Sequence, residues 1–182
     1  MESEWERLAK VASRRAENLY LTRQLRCSEA VVVALNHGLG GGLSDETAIR
    51  MASCFPDGLG GSGCLCGALG GGILALGLFL GRERPGARDK RRAGPAAKKL
   101  HDLFREAFGG TCCRVLSGKV RKNEKAHFQR CGDFTRAATE MTAKLILERR
   151  PELVEQADWG YLKEVESGLA PALKRVANLI RG

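Results

Sequence analysis

The chain has 182 residues, 43% of them apolar and 28% charged, with a net charge of +9. That composition excludes an intrinsically disordered chain, and the length suits one domain with a full hydrophobic core. Aromatic residues make up only 5% while Ala, Leu and Gly abound, a balance that favours helices over sheets.

The N-terminal run Met1-Glu2-Ser3-Glu4-Trp5-Glu6-Arg7 starts acidic and leads into an amphipathic pattern of Leu8, Val11, Ala12, Arg15, Leu19 and Tyr20. Residues 4–22 therefore form the first predicted helix. This opening has the form of neither a secretory signal nor a transit peptide, which sets the expectation of a cytoplasmic protein. A second helix is expected from Cys27 to His37, ended by Gly38, Gly40, Gly41 and Gly42. Ser44-Asp45-Glu46 caps a third that continues to Cys54, and Phe55-Pro56-Asp57-Gly58 is a turn.

A glycine-rich apolar helix is predicted from Cys64 to Leu80. No charged side chain occurs from Gly58 to Gly81, a stretch long enough to span a bilayer. Gly58 to Gly63 reads as loop, however, leaving only about 16 residues of apolar helix, so a buried central helix is expected instead. Eight basic residues against two acidic ones lie between Arg82 and Lys99, interrupted by Pro85-Gly86 and Gly94-Pro95. This segment holds most of the net charge and reads as a solvated connection, the alternative being a surface for nucleic acid or an acidic partner.

The next helix runs from Ala96 to Phe108, with Leu100, Leu103, Phe104 and Phe108 on one face, and Gly109-Gly110 ends it. A short helical turn is expected over Cys112 to Leu116, then a polar loop up to Cys131. Residues 131–149 form a long helix with Phe134, Ala137, Ala138, Met141, Leu145 and Ile146 facing inward. The tail holds a short segment around Leu153 and Val154 and an amphipathic helix from Pro171 to Ile180. No strand and no internal repeat are visible. The expected fold is all-α, a compact multi-helix domain around the buried glycine-rich helix. Residues 1–150 carry the cysteine pattern, and 151–182 form a helical extension packed on the same domain.

Seven cysteines at wide spacing, odd in number and with no export signal, point to reduced, metal-bound or catalytic thiols rather than a disulfide framework. Cys27 ("CSEAVVVAL"), Cys66 ("CGALGGGILAL"), Cys113 ("CRVL") and Cys131 ("CGDFTRAATEM") stand at four predicted helix starts. The partial positive charge there favours a thiolate, the form that attacks disulfides and binds metals. Arg26, Arg114 and Arg130 adjoin three of the four. Cys64 and Cys112 read as bystanders and Cys54 as a core residue.

The run "GSGCLCGALGGG" places Gly63, Gly67, Gly70, Gly71 and Gly72 where each helical glycine costs about 1 kcal/mol relative to alanine. Gly63, Gly67 and Gly71 are four apart and share a face, with Gly70 beside them. A face without side chains lets a neighbouring helix or a cofactor approach the backbone, and first-turn N–H groups can then reach a sulfur. Gly67, Gly70 and Gly71 are the candidate cofactor-binding positions.

Cys27, then Cys66-Gly67-Ala68-Leu69-Gly70-Gly71 reading C-G-A-x-x-G, then Cys113 and Cys131, resemble in order the redox-active family labelled by the signature C_GCAxxG_C_C. The run "GGGILALGLFLG" is similar to that family as well, and the resemblance covers roughly residues 10–150. A similar domain belongs to the split-Soret cytochromes, where such cysteines are associated with an iron–sulfur centre. The resemblance thus implies a redox-active chain, an oxidoreductase or an electron-transfer protein. Its metal ligands would be Cys27, Cys66, Cys113 and Cys131.

Four sulfur ligands suit an iron–sulfur cluster or zinc, and the absence of local C-x-x-C knuckles makes zinc the weaker expectation. No C-x-x-C-H occurs, so no covalent haem is expected. One alternative is a metal-free thiol–disulfide relay or sensor among the same cysteines. Another is a basic helical module that binds nucleic acid or a protein partner, with structural cysteines; few aromatics argue against the nucleic-acid form. His37, His101 and His127 are scattered and form no hydrolytic arrangement, and no phosphate-binding loop is present. The partner is expected to be a redox protein or a small-molecule electron donor, with no membrane involved and room for a homodimer.

Overall fold

A computed structural model describes residues 2–90 and 92–167. The elements are α1 (Glu4–Leu21), α2 (Cys27–Gly38), α3 (Asp45–Ala52), α4 (Pro56–Leu59), α5 (Gly67–Leu80), α6 (Ala93–Phe108), α7 (Cys113–Ser117), α8 (Glu124–Leu147), α9 (Leu153–Gln156) and α10 (Trp159–Lys163). The described residues are all-α. Their only ladder contact is an isolated antiparallel bridge between Leu65 and Cys112. No helix is long and apolar enough to cross a membrane among the described residues.

The helix ends follow local chemistry. Ser3 and Glu6 make a reciprocal capping box at α1, Ser44 accepts from Thr47 N–H at α3, and Asn123 accepts from Ala126 N–H at α8. That last cap corrects one expectation. Residues 124–130 are not a loop but the first two turns of α8. Their Glu, Lys, Ala, Gln and Arg side chains are good helix formers whose polarity reflects an exposed face. A second correction concerns the glycine-rich helix, which begins at Gly67 rather than Cys64. Gly63 lies outside it in a left-handed conformation, φ +70°, so it does not share a helical face with Gly67 and Gly71. The third helix ends at Ala52, before Cys54. The helix expected at Pro171 to Ile180 lies outside the described residues, and α10 was not foreseen.

α5 is apolar on every side and accordingly sits in the middle, against α2, α6 and α8. Its glycines are the crossing points. A Cβ at Gly71 would stand 2.6 Å from the carbonyl oxygen of Ser28 and 3.0 Å from its Cα, so α2 passes backbone to backbone there. A Cβ at Gly72 would stand 2.5 Å from Thr142 Oγ1 of α8, and one at Gly70 would stand 2.6 Å from the Phe55 ring. Thr142 turns its hydroxyl back onto the Ala138 carbonyl at 2.7 Å, satisfying a polar group that the crossing buries. Leu69, Leu76, Leu80, Leu100, Phe104 and Ile146 fill the core around this axis.

The basic segment is exposed along residues 82–90 for the most part. Within it Asp89 accepts from the Ala93 and Gly94 N–H groups at the start of α6, while Lys98 pairs with Asp102 and Lys99 with Glu148. The chain beyond α8 returns to the bundle: α10 packs on α1 and α2. Buried Arg15 reaches Glu164 at 3.0 Å and Glu166 at 3.4 Å there, and His37 stacks on Tyr161 with ring centroids 3.9 Å apart.

Candidate functional site

One cavity of about 610 Å³ opens between the end of α1, the starts of α2 and α5, and the outer turns of α8. Cys27, Cys66, Cys113 and Cys131 all line it, with Tyr20, Phe128 and Phe134. Residues up to 104 positions apart in the chain therefore share one space. Cys54, Cys64 and Cys112 stay outside the lining. Cys54 is exposed rather than part of the core, because α3 has already ended, and the Cys112 thiol bonds the Gly63 carbonyl at 2.9 Å.

Each thiol arrives by a different route. Cys27 is the first residue of α2, and its neighbour Ser28 is anchored to the Ala52 carbonyl at 2.9 Å. Cys66 is the N-cap residue of α5; its side chain makes no cap hydrogen bond, but the nearby Ala68 and Leu69 N–H groups favour its anion. The segment before it pairs with the segment before α7: Cys66 N–H donates to Thr111 at 2.8 Å and Cys113 N–H to Cys64 at 2.5 Å. That exchange ties Cys113 to Cys66. Gly67 is the glycine that meets the site, since a Cβ there would stand 2.5 Å from Cys27 Sγ. Gly70 and Gly71 face Phe55 and Ser28 instead, so these two expected cofactor positions are used to pack protein against protein.

Cys131 overturns the helix-start expectation. It lies at the start of the third turn of α8 on a continuous helix, beyond the first turn over which the dipole of the N-terminus acts. The flanking arginines also turn elsewhere. Arg26 pairs with Asp57, Arg114 donates to the Ser62 carbonyl at 2.7 Å, and Arg130 lies over Phe134 at 4.8 Å. Burial therefore decides the sulfur chemistry. It pushes Cys66 up to about 11 and Cys131 up to about 12, and it raises Cys27 and Cys113 too. Neighbouring sulfurs and the Asp57 carboxylate add to the rise, while the N–H donors at Cys66 and the Tyr20 hydroxyl at Cys131 oppose it. In the metal-free chain the four are thiols, not the thiolates expected from their helix positions.

The native chain keeps the Cys66 and Cys131 protons to pH 11–12, whereas an unfolded chain releases them near 9. Above pH 9 the unfolded state binds fewer protons than the native one, so stability falls with pH. The metal-free, reduced protein should show its full stability below pH 9 and lose it progressively toward pH 12. Urea midpoints at pH 7, 9 and 10.5 check this, and a flat series would mean that the sulfurs are solvated.

Tyr20, Asp57 and Phe128 belong to the site and were not singled out from sequence. Tyr20 follows the helical pattern of Leu19 and reads as core, yet its hydroxyl donates to the Cys131 sulfur and its ring stacks on Phe128 at 4.8 Å. The thiols line the walls without closing into a cage. Among the described residues no group of three or more His, Cys, Asp or Glu side chains stands ready to hold a metal ion.

Comparison with known proteins adds two similarities. The family described as "Putative redox-active protein (C_GCAxxG_C_C)" matches residues 25–145, a span that contains all four lining cysteines. An uncharacterized protein of Archaeoglobus fulgidus is 28% identical over 149 residues, which cover 78% of this chain and 97% of that one. No solved structure matches the chain.

Proposed function

Because this chain belongs to the C_GCAxxG_C_C family, we propose that it is an electron-transfer protein whose working groups are Cys27, Cys66, Cys113 and Cys131, the ligands of an iron–sulfur cluster. The observation that carries this reading is the convergence of four thiols, from four separate elements, on one cavity. The donor set fits such a centre. Sulfur is the soft ligand that iron–sulfur clusters take, and the Ala68 and Leu69 N–H groups at Cys66 favour the sulfur anion that such a centre needs. When bound, the cluster would accept and release single electrons at this position.

The chain's own residues then have definite tasks. Gly67 leaves room for the Cys27 sulfur, and the bridge of Leu65 to Cys112 holds Cys113 beside Cys66. Tyr20 gives a hydrogen bond to Cys131 from a ring fixed by Phe128. Packing among α2, α5 and α8 leaves Cys66 buried. The raised thiols argue against a metal-free relay, because an attacking thiol works best with a pKa near ambient pH, and a metal would have to displace the same protons. None of the four whose shift is described has that property.

The test is anaerobic reconstitution with ferrous iron and sulfide, read by visible absorption and by iron, sulfide and zinc analysis. Iron with acid-labile sulfide should be retained by the native chain and lost from Cys66→Ser and from Cys27→Ser. A folded chain that takes up zinc alone, or that takes up no metal and forms a disulfide among the four under mild oxidation, would overturn the cluster.

A further inference from the structure

Four sulfurs do not account for the whole cavity. Its volume of about 610 Å³ lies in the range of small-molecule sites, roughly 300–1,000 Å³. Buried Cys66 lies on its floor, while its outer lining carries the cations Arg23, Arg26 and Lys125, together with His127. Two carboxylates also line it, Asp57 and Glu124. Asp57 is taken by Arg26, and Glu124 lies in the first turn of α8. Arg23 and Lys125 have no ion-pair partner among the described residues, and three cations against two carboxylates leave the lining with a net positive charge.

Arg23 is the more telling of the two. It follows α1 in a left-handed conformation, φ +59°, where glycine would be cheaper. Its guanidinium lies 4.5 Å over the Phe128 ring, whose other contact is the stacked Tyr20. The Arg23, Phe128 and Tyr20 groups thus make a fixed wall that runs from the cationic rim down to the Cys131 sulfur.

We propose that this cavity binds a small organic oxyanion, a carboxylate or a phosphate ester, with its charge held by Arg23 and Lys125 at the rim and its body over the sulfurs. The inference rests on the reading of the four-thiol cavity as the redox site, and it gives that site a substrate class. A guanidinium and an ammonium both donate charge-assisted hydrogen bonds to oxyanions. A neutral molecule of the same size accepts weaker hydrogen bonds from them and lacks the attraction between opposite charges.

The experiment uses the metal-free, reduced full-length chain and calorimetric titration at constant ionic strength. The probes are phenyl phosphate, benzoate and neutral benzyl alcohol. One saturable site per chain is expected for phenyl phosphate, for benzoate or for both, the first naming the phosphate class and the second the carboxylate class. Arg23→Gly combined with Lys125→Gln should weaken that binding by about tenfold or more. Glycine suits the backbone at position 23, so the variant should fold, and Lys163→Gln on the far side serves as the unchanged control. No saturable binding of either anion would overturn the proposal. So would equal binding of benzyl alcohol, or affinity untouched by the double variant. Iron and sulfide uptake is measured separately: uptake without anion binding sinks only this inference, and anion binding without uptake sinks only the cluster.

Discussion

Gly71→Leu should be the most damaging single change in the apolar core, lowering stability by about 3 kcal/mol or more, at or beyond the top of the usual range for overpacking. The reason is what the new side chain meets. At Gly71 it would run into the carbonyl and Cα of Ser28, which are backbone atoms of α2 and cannot rotate away. Ser28 is itself held through its hydroxyl to Ala52, so α2 cannot shift without disturbing α3. The Cys27 sulfur moves with that backbone, and the site should be lost together with the stability. Gly77 in the same helix supplies the contrast. It is exposed, a Cβ there meets nothing within 4 Å, and Gly77→Ala should stabilise the chain by up to about 1 kcal/mol. Urea unfolding of both variants measures the difference. Equal and small effects would show that α5 is not clamped.

Alkylation of the metal-free, reduced chain at pH 7 should divide the seven cysteines by burial rather than by position in a helix. Exposed Cys54 and Cys64 should label first, half-buried Cys112 and Cys113 later, and Cys27, Cys66 and Cys131, which burial raises furthest, last. With its pKa near 11, Cys66 is a thiolate in roughly one molecule in ten thousand at pH 7, against roughly 3% for a free thiol. Its labelling should therefore be slower by about one to two orders of magnitude, because the more basic thiolate is also the stronger nucleophile, before any steric protection is counted. The rate should climb about tenfold per pH unit until the thiol titrates near 11. Peptide mapping by mass spectrometry reads all seven positions in one experiment. Fast labelling of Cys66 or Cys131 at neutral pH would mean that the helix dipole, not desolvation, governs them. Iron and sulfide should further protect Cys113, the most accessible of the four.

Much of this architecture is legible along the chain. The apolar faces of α1 and α8 and the uniformly apolar α5 announce themselves by period, because helices bury one stripe or, at the centre, all sides. The four lining cysteines stand out by order and by the C-G-A-x-x-G run. What the chain does not display is polarity that depends on a neighbour. Residues 124–130 read as loop because their exposed face is charged, yet one Asn cap and good helix formers extend α8 through them. Cys131 consequently passes from a helix start to a helix interior, and the thiolate argument built on the start fails with it.

The sequence by itself determined the helical class and the central place of the glycine-rich helix, and it singled out the four thiols that line one cavity. The first two follow from periodicity and residue type, which are properties of short segments, and the thiols from the order of the family signature they carry. Only the tertiary structure decided what the glycines touch and what state the sulfurs are in. Gly67 makes space for a sulfur, whereas Gly71 makes space for a backbone, a distinction set by whichever element crosses at that turn. The Cys66 and Cys131 thiols stay protonated because chain distant in sequence removes their water, and desolvation outweighs the dipoles and hydrogen bonds that favour the anion.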